Sequence, residues 1–215
     1  MKNIIFIILV LGVGFTFSNC GNPTEKPTTI SKKTLPFLGF HDTDSISGDT
    51  IYHTVRPFEF MNQDSQKVTN ELFDGKVYAV DFFFISCPTI CPKLTKQMLR
   101  VHEKFKDNPD FLMVSHTVDT KHDTIPRLKS YAENLGADTD KWHFVTGEKR
   151  EIYEIAEDYF SVALENADAP GGYDHSGRII LLDGKGRVRS FCNGTEPEEV
   201  DEFMKDIEWL LAQKS

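Results

Sequence analysis

The chain has 215 residues, 40% hydrophobic and 12% aromatic, which suits one globular domain burying about 70% of its unfolded surface and leaves no room for two large ones. With 24 Lys+Arg against 33 Asp+Glu the formal net charge is -9, so the cationic surface that phosphate-backbone binding needs is missing and nucleic acid is excluded as a partner. The four cysteines, at positions 20, 87, 91 and 192, are too few and too scattered for a disulfide-stapled miniprotein.

Lys2 is followed by a nearly pure apolar run from Ile4 to Phe17. The run is shorter than the ~20 residues of a membrane-spanning helix, and a basic start with a short apolar stretch makes an export signal. Its end, Phe17-Ser18-Asn19-Cys20-Gly21, resembles a bacterial lipobox, although Phe17 and Asn19 stand where Leu and Gly or Ala are usual. That resemblance implies a signal peptide over residues 1–19 and a lipid anchor on Cys20. A plain secretory signal, or an uncleaved anchor with Cys20 incidental, is the alternative. Every option places the remainder in the cell envelope, on the extracytoplasmic (periplasmic) side of a bacterial membrane. Gly21 to Lys33 is rich in Pro, Thr and Lys and reads as a solvated tether. The boundaries expected are an acylated cysteine and tether over 20–45 and a folded domain over 46–215, packing beginning between Leu35 and Thr50.

Tyr52 to Phe60 alternates like a strand, Asn62-Gln63-Asp64 supplies a turn, and Lys67-Val68-Thr69 returns as its partner. Val77 to Ile85 is too continuously apolar for a strand with one wet face, so it is expected at the centre of a sheet covered on both sides. Leu94, Met98, Val101, His102 and Phe105 recur at helical spacing. Strands are expected over Phe111–Thr117 and Trp142–Val145, and helices over Thr124–Leu135 and Glu151–Tyr159. This alternation implies a sheet with a parallel part and helices on both faces. Arg178–Leu182 and Arg187–Cys192 flank a Gly-containing turn and make an antiparallel hairpin. Thr195-Glu196-Pro197-Glu198 reads as a capping box opening a last helix to Ala212. The element order is that of an α/β, thioredoxin-like fold with an extra amino-terminal β-hairpin and an inserted helix.

Cys87-Pro88-Thr89-Ile90-Cys91-Pro92 follows the central strand and precedes a helix. Pro88 favours extended backbone at Cys87 and Pro92 fits a first helical turn, so the chain bends here and the helix starts near Cys91. Amide N–H groups at such a terminus favour thiolate. Two soft sulfur ligands so placed suit Cu(I) or Zn(II), and equally a reversible disulfide. A purely structural disulfide closing so small a loop would constrain the unfolded chain little.

Beyond this motif, Gly75-Lys76, the aromatic strand, Phe84, Val118-Asp119-Thr120-Lys121-His122-Asp123-Thr124, Trp142-His143-Phe144-Val145-Thr146-Gly147 and Asp174-His175-Ser176 follow in an order that resembles the Sco/SenC family. The resemblance runs from about Tyr52 to Ala212. It implies copper, Cu(I) or Cu(II), held by Cys87, Cys91 and His175, and delivery to a copper-receiving subunit of cytochrome c oxidase or another respiratory copper enzyme. It implies a metal carrier rather than a turnover enzyme. Chemically, two thiolates satisfy Cu(I), and an added imidazole makes a site that also holds Cu(II). His175 follows a loop-like stretch containing Pro170-Gly171-Gly172, an approach suited to moving the imidazole on and off the metal.

Asp81 does not belong in a strand buried on both sides without a partner. Its place six residues before Cys87 resembles the buried acid of thioredoxins, which implies assistance to proton transfer; a satisfied structural carboxylate is the alternative. This feature favours the competing function, a thiol-disulfide oxidoreductase that reduces cysteines of the copper-receiving subunit and is itself served by a thiol reductant protein. Asp119, Asp123 and Asp174 are candidates for supporting the site or capping its loops. His102 reads as a core or boundary residue, His41, His53, His116, His122 and His143 as surface or hydrogen-bonding residues, and Cys192 as a small buried thiol.

Overall fold

The structure, a computed structural model, describes residues 34–213; the signal segment, Cys20 and the tether through Lys33 lie outside the described residues. Packing begins at Leu35. Its carbonyl and that of Pro36 accept hydrogen bonds from Arg189 at 2.7 and 3.0 Å, and the guanidinium lies 4.1 Å from the Phe37 ring centroid. Asp183 completes this clasp, accepting from Arg189 at 2.9 Å and from Arg187 at 2.8 Å.

Two short strands, β1 (Asp42–Thr43) and β2 (Thr50–Ile51), pair with each other away from the main sheet. The hairpin β3 (Glu59–Asn62) and β4 (Lys67–Thr69) turns where expected. It starts later than the alternation over Tyr52–Phe60 predicts, because Pro57 has no N–H to pair, while those of Arg56 and Phe58 go to the Asp158 and Asn70 side chains. Next come β5 (Val77–Phe83), α1 (Cys91–Phe105), β6 (Phe111–Thr117), α2 (Ile125–Leu135), β7 (Trp142–Thr146) and α3 (Lys149–Asp158). Then β8 (Ala163–Glu165) and β9 (Tyr173–His175) form a separate ribbon, followed by β10 (Arg178–Leu182), β11 (Val188–Asn193) and α4 (Pro197–Ala212).

Among the described residues the main sheet runs β11-β10-β5-β6-β7-β3-β4. Strands β5, β6 and β7 are parallel, and β10, β11, β3 and β4 are joined antiparallel. The thioredoxin-like core is β11-β10-β5-β6 with α1, α2 and α4; β7, α3 and the ribbon are inserted before β10, and β3–β4 extends the far edge.

Every residue of β5 is buried, as its unbroken apolar character requires. Alternation along it sorts the two faces. Phe83 stacks on Tyr131 of α2, whereas Phe82 packs on His116 and on Tyr159 just past α3, so helices cover both sides. α2 starts after Thr124, carries Pro126 in its first turn and ends on Gly136, whose φ of 67° is the left-handed stop that glycine tolerates.

The capping box at Thr195 does not form. The helix starts one residue later, with Glu196 as its cap and Pro197 first inside, and the Thr195 hydroxyl donates to Asn193 Oδ1 at 2.9 Å. Glu199, three residues into the helix, accepts instead from the Asn193 N–H at 2.8 Å. Proline brings no N–H of its own to the first turn, which lowers the demand for a capping side chain.

Candidate metal centre

Beyond β5 the chain turns sharply, with the Cys87 N–H on the Phe84 carbonyl at 3.2 Å, and α1 begins at Cys91. Ile90 stands at the cap position and offers no capping side chain. The first N–H groups of the helix are therefore free to face sulfur. Partial burial opposes ionisation of Cys87, but hydrogen bonds from the backbone at Thr89 and Cys91, with help from the Cys91 and Thr89 side chains, outweigh it and hold the Cys87 thiol below its ordinary range. Cys91 is the opposite case. Burial pushes its thiol well up, with the Cys87 sulfur and the Asp81 carboxylate adding to the effect.

His175 reaches this turn from the end of β9. Its Nδ1 lies 3.1 Å from the Phe82 carbonyl, an atom that only accepts, so Nδ1 carries the proton and Nε2 keeps its lone pair. Nε2 sits 3.6 Å from Cys87 Sγ and 3.4 Å from Cys91 Sγ. Burial lowers the pKa of the ring, which keeps it neutral and ligand-competent. Among the described residues, the Cys87, Cys91 and His175 donor atoms form a group able to hold a metal ion, all within 4.8 Å of one another. Both thiols are free.

The ribbon that carries His175 is held through Tyr173, which the sequence left unnamed, and through Gly171. The Tyr173 hydroxyl donates to Asp119 Oδ1 at 2.8 Å, and its ring lies 5.1 Å from that of Phe84. Gly171, at φ +80°, passes so close that a Cβ there would meet Phe84 ring atoms at 2.8 Å and Pro88 Cδ at 3.2 Å. Only glycine lets the ribbon approach the cysteine turn this closely. The Gly-Gly pair two residues before the Asp-His-Ser motif was the signal for this contact.

Asp119 is buried; besides binding Tyr173, it closes its own loop by accepting from His122 Nδ1 at 2.9 Å. Asp123 caps the same region, accepting from the Ile85 N–H at 3.0 Å and the Thr117 hydroxyl at 2.6 Å. Asp174 is spent within the ribbon, on Asn166 at 2.6 Å. Asp81 accepts from the Ser115 hydroxyl, which in turn receives the Trp142 indole N–H at 2.8 Å. Burial raises its pKa to about 7.

His102 is buried and accepts from the Asp138 N–H at 3.1 Å. His116 departs from its expected surface or hydrogen-bonding role. It lies in a strand enclosed by β5 and β7, stacked on Phe82 at 5.1 Å and edge-on to Phe60, with both ring nitrogens unpartnered, and burial drives its pKa down to about 3. Cys192 is a buried thiol whose pKa burial raises to about 12.

Fold and site together define a thioredoxin-like protein with a two-sulfur, one-imidazole ligand set at the first turn of its first long helix. Residues 48–212 match the SCO1/SenC family model, and the chain belongs to that family. Among similar solved structures is a SCO1/SenC family lipoprotein from Bacillus anthracis, 27% identical, with a TM-score of 0.67 over 74% of this chain and 95% of that one. BsSco, a member of the Sco family of cytochrome c oxidase assembly proteins in which a disulfide switch was identified, is 32% identical, with a TM-score of 0.65 over 74% and 93%. Arabidopsis thaliana ScoI, solved with copper bound, is 25% identical, with a TM-score of 0.62 over 74% and 99%.

Proposed function

We propose that this chain is a membrane-anchored copper chaperone that binds Cu(I) and Cu(II) through Cys87, Cys91 and His175 and hands the metal to a respiratory enzyme, foremost the binuclear copper site of cytochrome c oxidase. The convergence of His175 Nε2 on both sulfurs carries this reading. The depressed Cys87 thiol supplies a thiolate readily, while copper displaces the proton that burial keeps on Cys91. The neutral imidazole, oriented by Phe82, completes a set acceptable to Cu(II). The copper-bound plant relative and the oxidase-assembly description of BsSco support the cargo and its destination.

Anchoring through Cys20 on the extracytoplasmic side rests on the lipobox-like segment and on the Bacillus anthracis lipoprotein relative. No helix among the described residues is long and apolar enough to cross a membrane.

One observation favours a second reading. The two thiols differ in the way a nucleophile and its resolving partner differ, low at Cys87 and high at Cys91, with a carboxylate of pKa about 7 close enough to raise Cys91. In that reading the chain reduces a disulfide of the copper-receiving subunit, Asp81 takes the Cys91 proton, and a thiol reductant protein restores the pair.

The decisive experiment measures Cu(I) affinity and disulfide potential on the full chain with Cys87→Ala, Cys91→Ala and His175→Ala. Tight one-to-one copper binding lost in the cysteine variants supports the chaperone. Negligible affinity with facile dithiol exchange replaces it with the oxidoreductase.

A further inference from the structure

Two surface concavities adjoin between α1 and α2 and share Ile85 and Tyr131. The first, of about 310 Å³, reaches both thiols. The second continues past Arg127. Ile85, Leu99, Tyr131 and Leu135 are half-buried apolar side chains packed on the core, so together they leave a wet apolar strip leading to the cysteine turn.

Charge distinguishes this groove from three others on the described surface. In a chain with 33 Asp+Glu, no carboxylate lines either concavity, and Lys96 and Arg127 stand in their walls. Grooves elsewhere carry Glu59, Glu151 and Glu154, or Glu198, Glu199, Glu202 and Asp206, or Asp119 and Glu165. Lys96 is exposed and joins none of the ion pairs among the described residues. Arg127 lies 3.7 Å from Asp123 but keeps 46% of its side chain exposed.

We propose that this groove seats an extended segment of a protein partner, apolar at its centre and acidic at its flanks, which brings a cysteine of the partner to the Cys87–Cys91 end. This rests on the reading of the pair as a copper- or thiol-exchanging centre and adds the chemistry of the partner surface. Apolar side chains cover the strip, acidic flanks meet Lys96 and Arg127, and the carboxylates of the other three grooves act against acidic ligands there.

The test uses the full-length chain in detergent with the Cys87–Cys91 disulfide formed, and two probes, acetyl-Asp-Leu-Cys-Phe-Asp-amide and its Lys-for-Asp counterpart. A probe thiolate attacks one sulfur of the disulfide; that S–S bond breaks as the probe–protein S–S bond forms, and the other cysteine leaves as thiolate. Rates are corrected for thiolate fraction and for reaction with a small neutral thiol. The acidic probe is expected to react about tenfold faster at low salt, with the advantage fading as salt rises, and Lys96→Glu is expected to abolish it. Equal rates for the two probes, or a preference that survives Lys96→Glu, overturns the proposal. So does concentration-dependent self-association lost in Lys96→Glu, which would make a second copy the occupant. Cu(I) titration of the same proteins after reduction of the disulfide to free thiols keeps the two readings apart: lost copper binding with intact probe discrimination sinks the chaperone alone, and intact copper binding with equal probe rates sinks the groove alone.

Discussion

The Nδ1 proton of His175 rests on the carbonyl oxygen of Phe82 at 3.1 Å, a main-chain atom of the central strand that also leads to the cysteines. The central strand thus leads into the turn and helix that carry both cysteines, and its backbone aims the imidazole at them. Removing the imidazole with His175→Ala is expected to weaken Cu(II) binding by about two orders of magnitude and to spare much of the Cu(I) affinity, because two thiolates suffice for the reduced metal. Competition titrations in each oxidation state measure both numbers. Equal losses in the two states would contradict the division of labour.

Tyr173→Phe removes the hydroxyl that ties the ribbon to Asp119 while leaving the ring on Phe84. A hydrogen bond worth ~1 kcal/mol corresponds to about a fivefold loss. The loss should appear in Cu(II) affinity and not in the reactivity of Cys87 towards a small disulfide.

Gly171→Ala is expected to destabilise the fold by about 1–3 kcal/mol, from the positive φ and the collision with Phe84. Chemical denaturation reads the stability, and the thiolate-to-Cu(II) absorption band reads displacement of the imidazole. An unchanged band and an unchanged midpoint together would show that the ribbon does not need its close approach.

Asp81 gives a pH signature of defined sign. Its folded pKa of about 7 lies above the unfolded value of ~3.9, so the buried carboxyl costs stability progressively as pH rises between those values. Asp81→Asn retains a partner for Ser115 and removes that penalty. Its stabilisation should be near zero at pH 4, grow through pH 5 and 6, and level off above pH 7 at about 1–3 kcal/mol. Thermal melts of both chains across that range decide it, and a pH-independent difference would rule out titration of Asp81 as the cause.

Asp183 behaves with the opposite sign. Burial works against its charge, yet Arg187, the Lys185 N–H and Arg189 prevail and hold its pKa below the ordinary carboxylate value. Its contribution is present above the unfolded pKa of ~3.9 and disappears as pH falls through the lowered one. Arg189→Ala should release Leu35 and Pro36, seen as faster amide exchange around Leu38, and should shift acid unfolding to higher pH. Unchanged exchange there would show that the clasp is not what holds the entry segment.

Much of the fold was legible because burial on two faces writes an unmistakable pattern: Val77–Phe83 is apolar throughout, and Leu94, Met98, Val101 and Phe105 recur at helical spacing. The cysteines were legible from the prolines around them. His175 was not legible from periodicity, since it lies 84 residues from Cys91 and meets it only through tertiary structure; resemblance to a family supplied it. Tyr173 on Asp119 joins residues 54 apart, and no local pattern marks such a pair. His116 misled because its strand is enclosed by aromatic rings, which accept an imidazole as one more flat apolar body and leave its nitrogens unused.

The ribbon of β8 and β9 belongs to a ladder of its own, hydrogen-bonded strand to strand outside the seven-stranded sheet. Its attachment near the metal centre runs through a few contacts, Tyr173 on Asp119, His175 on Phe82 and Gly171 beneath Phe84. In the proposed copper site two kinds of support would share one ion: sulfurs mounted on the cooperative core, and a nitrogen on an outrigger whose detachment costs a handful of contacts instead of the whole fold. A carrier built this way would release its metal asymmetrically, its weakest joint placed on the ligand that matters most to the oxidised metal.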